Sequence, residues 1–164
     1  MILDLEPIFN TEGLSKEFDY ELDLSAEEVG YAKPFTTPVK VSGSVANSTG
    51  IVELNASADF VLELDCDRCA RPIKVPVKTK IRHTLVTSLN DENNDELMLV
   101  NELRFPLDDL VTEDIFLELP SKFLCREDCK GICPKCGKDL NAGECGCQKE
   151  IDPRLAALRQ LLDN

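Results

Sequence analysis

At 164 residues and 43% apolar, with 7 Phe, 2 Tyr and no Trp, the chain can build one ordinary core plus a small appended module, but has little to stack on bases. Its formal charge of −13 repels nucleic acid over most of the surface, because duplex affinity rests on cationic contacts to phosphate; it suits basic protein partners or plain solubility. No apolar run approaches the roughly 20 residues of a membrane helix, and MILDLEPIF lacks the basic start of a secretory signal, so a cytoplasmic protein is expected.

The first apolar piece holds Ile2, Leu3, Leu5, Ile8 and Phe9, and a turn follows around 10–15. Phe18, Tyr20, Leu22 and Leu24 then alternate with acids, the period-two mark of a half-buried strand. Ser25-Ala-Glu-Glu28 predicts a short helix start, with Ser25 as N-cap. Val39, Val41 and Val45 predict a strand that Gly43 interrupts as a bulge, and Asn47-Ser48-Thr49-Gly50 predicts a turn. Val52 to Leu64 and Ile73 to Leu85 are two long alternations around Cys66-Asp-Arg-Cys69, a hairpin with the cysteines at its tip.

Residues 90–96 read as a polar, acidic loop, and 97–105 as a loosely alternating strand. Leu107, Leu110, Val111 and Ile115 fall near helical spacing after Pro106, with Asp108 and Asp109 in the first turn and Pro120 as a stop. Asp152-Pro153 opens a last helix with Leu155, Leu158, Leu161 and Leu162 as its apolar stripe. The expected architecture is α+β. A mainly antiparallel, β-rich body with a long hairpin and few helices spans 1–120, and a C-terminal zinc-binding module with a terminal helix spans 121–164.

Charge is unevenly spread. Residues 1–60 carry 3 Lys and Arg against 11 Asp and Glu, and residues 91–120 carry 1 against 10. Residues 61–90 reverse the balance, with 6 against 3.

Eight cysteines form two sets of four, the full ligand complement of two structural zinc ions. In a reducing compartment closely spaced pairs favour metal over structural disulfides, and neither pair sits in the βαβ setting of a thioredoxin-like redox motif. Iron is the competing metal. Cys133-Pro-Lys-Cys136-Gly137 has the form of zinc knuckles and of rubredoxin-type iron sites, its proline and glycine shaping the turn between the sulfurs. Two partitions are open. One places Cys133, Cys136, Cys145 and Cys147 on one ion and Cys66, Cys69, Cys125 and Cys129 on the other. The second joins Cys125, Cys129, Cys133 and Cys136, leaving Cys66, Cys69, Cys145 and Cys147. Cheaper loop closure between neighbours favours the first.

Catalysis has little to stand on. The single histidine, His83, lies inside an alternating strand, and no phosphate-binding loop, nucleophile elbow or H-E-x-x-H is present. Eight thiols fill two closed sites without leaving a water position, so a non-enzyme with no small-molecule substrate is expected. Arg68, Arg71, Lys74, Lys78, Lys80 and Arg82 form the one nucleic-acid candidate, a cationic strand face without interleaved aromatics. An exposed face balanced by nearby acids explains the same residues equally well.

An acidic β-rich start, the C-x-R-C tip, the E-L-P segment, CREDCKGICPKCGKDLN followed by C-x-C, and DPRLAAL together resemble the YceD-like family. This is the large ribosomal RNA subunit accumulation protein family of bacteria and plastids. The resemblance covers essentially the whole chain and implies a role in accumulation or processing of 23S ribosomal RNA. It also implies support for the first partition, since family members exist that keep the upstream pair and the pair after E-L-P without the later CPxCG and CxC. Joined to the charge pattern, it points to an acidic, zinc-stabilised adaptor on a large-subunit precursor, holding ribosomal RNA or a basic ribosomal protein. The alternative is a zinc-ribbon nucleic-acid-binding protein of transcription type.

Overall fold

A computed structural model describes residues 1–88 and 97–147, so the acidic loop and the last helix expected from the sequence lie outside the described residues. The chain divides into two units: Met1–Asp65 with Pro72–Phe123, and Cys66–Arg71 with the segment from Leu124 onward.

In the first unit the long alternations become strands. β1 is Ile2–Asp4, β2 Ser15–Leu22, β3 Val39–Ser48, β4 Ile51–Asp65, β5 Pro72–Val86, β6 Leu97–Leu99 and β7 Arg104–Pro106. The sheet order is β2-β3-β4-β5-β6, and β1 pairs separately with β7. β2 to β5 are antiparallel, with β4 and β5 in unbroken register from Val52 opposite Leu85 to Asp65 opposite Pro72. Because side chains alternate between faces, Val52, Leu54, Ala58, Phe60 and Leu62 of β4 are all buried while Glu53 is left outside.

Helix α1, Glu6–Asn10, and helix α2, Leu107–Glu118, complete the unit. Leu107, Leu110, Val111 and Ile115 of α2 are buried in the same core as Leu3, Leu5 and Ile8. His83 is half-buried on β5, and its Nε2 lies 2.7 Å from Asp114 Oδ2 on α2, so the histidine ties strand to helix.

One sequence expectation is narrowed and three are corrected. The sheet is mainly antiparallel but mixed, because β6 runs parallel to the end of β5, with Thr84 opposite Leu97. The expected strand over 97–105 is instead two short ones in different sheets. Residues 25–28 form no helix: Asp23 Oδ1 accepts the Ser25 N–H at 2.9 Å, and Gly30 at φ 66° and the Val29–Ala32 bridge end the segment before a helix can propagate. Gly43 is no bulge, since β3 pairs continuously through it with Phe18 on one side and Ala56 on the other.

The β3–β4 turn is as expected, with Thr49 at φ 54° and Gly50 at φ 85° giving the two-residue, left-handed geometry that matches strand twist. Beneath it Asn47 is buried. Its Nδ2 donates to the Ile8 carbonyl at 2.8 Å and its Oδ1 accepts the Gly50 N–H at 3.0 Å, joining α1 to the turn. Replacing Asn47 with alanine strands both groups and is expected to lower stability by about 1–3 kcal/mol. The check is an earlier urea midpoint with an unchanged denaturant slope.

Candidate metal centre

In the second unit the chain makes the same local turn twice. At the hairpin tip the Cys66 N–H donates to Arg71 O and the Ala70 N–H to Cys66 O, both at 2.8 Å. At the second site the Cys133 N–H donates to Lys138 O and the Gly137 N–H to Cys133 O, again at 2.8 Å. The residue after the second cysteine is left-handed in each, Ala70 at φ 52° and Gly137 at φ 71°. Each turn offers two sulfurs from one side, a half-site for a tetrahedral metal.

The other half-sites complete two groups of four. Cys66, Cys69, Cys125 and Cys129 form one, and Cys133, Cys136, Cys145 and Cys147 the other, with the sulfurs of each group within 4.8 Å of one another. This grouping is the first of the two partitions the spacing allows. Cys66 and Cys129 sulfurs are 3.8 Å apart and those of Cys69 and Cys125 3.7 Å. Sulfurs held about 2.3 Å from a tetrahedral zinc stand about 3.8 Å apart, so the donor set fits a metal of that size and geometry.

The electrostatics call for a cation. Burial opposes ionisation of Cys66, but the backbone N–H groups of Cys125, Arg68 and Cys69 outweigh it and bring the thiol down to about 6. Backbone N–H groups of Cys136 and Lys135 bring Cys133 down to about 6. Cys125 is pushed up to about 12 by burial and its thiol neighbours, and Cys147 to about 12 by the Cys136 thiol and burial. Each cluster thus gives up its first protons easily and resists losing its last, a conflict that a divalent cation among four thiolates removes.

Three groups around the first cluster carried no sequence signal. Asn141 reaches from the loop between Cys136 and Cys145 to bring Nδ2 within 3.5 Å of Cys129 Sγ, while its Oδ1 accepts the Lys130 N–H at 2.8 Å. Arg68 donates to Cys129 O at 2.7 Å, and Arg68 O accepts the Ile132 N–H at 3.1 Å. Gly131, at φ 75°, sits so close that an added Cβ would lie 2.8 Å from Arg68 O. An Asp-x-Asn loop and a lone glycine become legible only once the tip and the segment after Leu124 are side by side. Gly131→Ala combines a left-handed backbone with a clash, and is expected to cost about 1–3 kcal/mol in this unit. Faster proteolysis between 124 and 147, with the first unit's unfolding unchanged, would check it.

The basic strip is distributed and largely paired. Arg68 and Arg71 belong to the tip, where Arg71 meets Asp139 at 3.1 Å. Lys74, Lys78, Lys80 and Arg82 lie on the exposed face of β5. Across β4, Lys74 meets Glu63 at 2.6 Å and Lys78 meets Asp59 at 3.1 Å, while Arg82 donates to Asn55 Oδ1 at 3.0 Å. Lys80 stands opposite Ser57.

A family model described as "Large ribosomal RNA subunit accumulation protein YceD" matches residues 54–162. An uncharacterized protein of Mycobacterium tuberculosis is 32% identical over 102 residues, 60% of this chain and 49% of its own length. The uncharacterized protein YlbN of Bacillus subtilis is 28% identical over 129 residues, 77% of this chain and 75% of its own. A chloroplastic protein of Arabidopsis thaliana, named a large ribosomal RNA subunit accumulation protein YCED homolog, is 25% identical over 148 residues, 71% of this chain and 46% of its own. The chain spans about half the length of the mycobacterial and plant relatives. No solved structure matches. No helix among the described residues is long and apolar enough to cross a membrane.

Proposed function

Because the chain belongs to the large ribosomal RNA subunit accumulation protein family, YceD, we propose that it is a non-enzymatic, cytoplasmic ribosome-biogenesis factor supporting accumulation of 23S ribosomal RNA. The family match over 54–162 carries this reading, and the name of the Arabidopsis relative agrees with it. In the form we favour, the protein is an acidic adaptor whose cysteine-rich unit is held by two zinc ions and whose direct partner is a basic ribosomal protein.

Two observations support the finer parts. Each cluster supplies four thiols, a closed set that suits structural zinc and leaves no position for a reacting water. Soft thiolates select zinc or iron over hard cations, and elemental analysis separates the two: two zinc per chain is expected, and iron would overturn the assignment. Lys74 and Lys78 are already matched by carboxylates, so of the β5 face Lys80 and Arg82 are left to meet phosphate.

The test is affinity purification of the tagged protein. Large-subunit precursor particles should co-purify, and depletion should lower 23S ribosomal RNA relative to the small-subunit RNA. Absence of both overturns the reading. Lys80→Glu with Arg82→Glu should leave recovery within about twofold; a steep loss, with strong salt dependence, would identify direct RNA contact instead.

A further inference from the structure

We propose that the outer edge of β2 is a docking strand for an extended, lysine- and arginine-rich polypeptide segment, which adds to the sheet beside it. This rests on the protein-partner reading above and names the surface that reading needs.

β2 is the edge of the five-stranded sheet and, among the described residues, pairs only with β3. It runs Ser15–Leu22 without proline, glycine or bulge, in unbroken register from Ser15 opposite Ala46 to Leu22 opposite Val39. Such an edge presents a row of outward N–H and C=O groups about 27 Å long, the template on which an extended peptide forms main-chain hydrogen bonds.

Side chains select the occupant. Glu17, Asp19 and Glu21 are exposed at alternate positions on the open face of the sheet. Their neighbours across β3 are Ser44, Ser42 and Lys40, and none of the three acids is in an ion pair among the described residues. Lys16 is the one cation on β2 itself, at an even-numbered position of the opposite face. The same sheet shows what completes such a row, since two of the acids facing outward from β4, Glu63 and Asp59, are each met by a lysine of β5 directly opposite. On β2 that cationic strand is missing.

Small residues leave it room. Glu17, Phe18, Asp19, Ser42, Gly43 and Ser44 line a shallow depression of about 440 Å³, over which long cationic side chains can reach the carboxylates. A second copy of β2 is a poor occupant, because like charges directly opposite destabilise a strand pair. Phosphate is repelled for the same reason.

The experiment uses the full, metal-loaded chain and a fluorescent peptide of alternating lysine and threonine, read by anisotropy at low ionic strength. Two further peptides carry N-methyl groups, one on every lysine amide and the other on every threonine amide. One methylated register should abolish binding and the other should stay within about threefold, since only one set of amides faces the edge. Asp19→Lys should weaken binding at least about tenfold, and Asp19→Asn by less. Binding should also slow amide hydrogen exchange within 15–22. Equal binding of both methylated peptides, or an unchanged affinity in Asp19→Lys, overturns the proposal. If precursor particles still co-purify in that event, the edge is rejected and the ribosomal role stands; peptide docking without particles rejects the role and keeps the edge.

Discussion

Serine in place of Cys129 is expected to remove one bound metal ion per chain and to disorder the cysteine-rich unit. The Cys129 sulfur is buried within the first cluster, 3.8 Å from Cys66. Losing one of four thiolates leaves an incomplete site, and a structural zinc of this kind contributes on the order of 10 kcal/mol. Native mass spectrometry should show two ions in the unaltered chain and one in Cys129→Ser. Limited proteolysis should then cut within 124–147 while the first unit survives. Cys145→Ser should also cost one ion, from the second cluster, with a partial effect on the first because Asn141, beside the Cys129 sulfur, sits in the loop that Cys145 closes. Chelators act in the same direction, and so does acid: the thiolate is the ligand, so metal affinity falls as pH falls. An unaltered chain free of metal, with identical proteolysis in the serine variants, would defeat the expectation.

Valine at position 43 is expected to be strongly destabilising to the first unit. A Cβ on Gly43 would lie 2.5 Å from Asn55 O and 2.6 Å from the Ala56 Cα, distances that backbone must move to relieve. The two extra methyl groups of valine then push β3 away from β4 in the middle of the sheet. The expected loss is roughly 3 kcal/mol, at the upper end for overpacking, and Gly43→Ala should lose less. Chemical denaturation measures both, and equal stability of all three chains would show that β3 and β4 separate without cost.

The same glycine shows where sequence reading stops. Alternation identified β2 to β5 because each of these strands buries one face, and burial leaves a period of two in the residues themselves. Helical spacing with acids in the first turn identified α2 for the same kind of reason. Gly43 carried only the message that something unusual happens there. Whether that is a bulge or a close strand approach is decided by Ala56, thirteen positions away. The parallel seating of β6 likewise depends on which sheet edge is open, which no local pattern records. The repeated cysteine turn is hidden in the sequence, since Ala70 occupies the left-handed position that Gly137 fills in the other copy and the residues between the cysteines differ as well.

The cysteine-rich unit is built from two stretches separated along the chain, and this sets an order of events during synthesis. Cys69 and Cys125 are 56 residues apart, so at roughly 5–20 residues per second the first pair emerges about 3–11 s before its partners. In that interval the nascent hairpin carries two thiols and half a site, able to hold a metal only weakly. Closure of the first cluster therefore marks a late checkpoint, passed only by chains translated beyond Cys129.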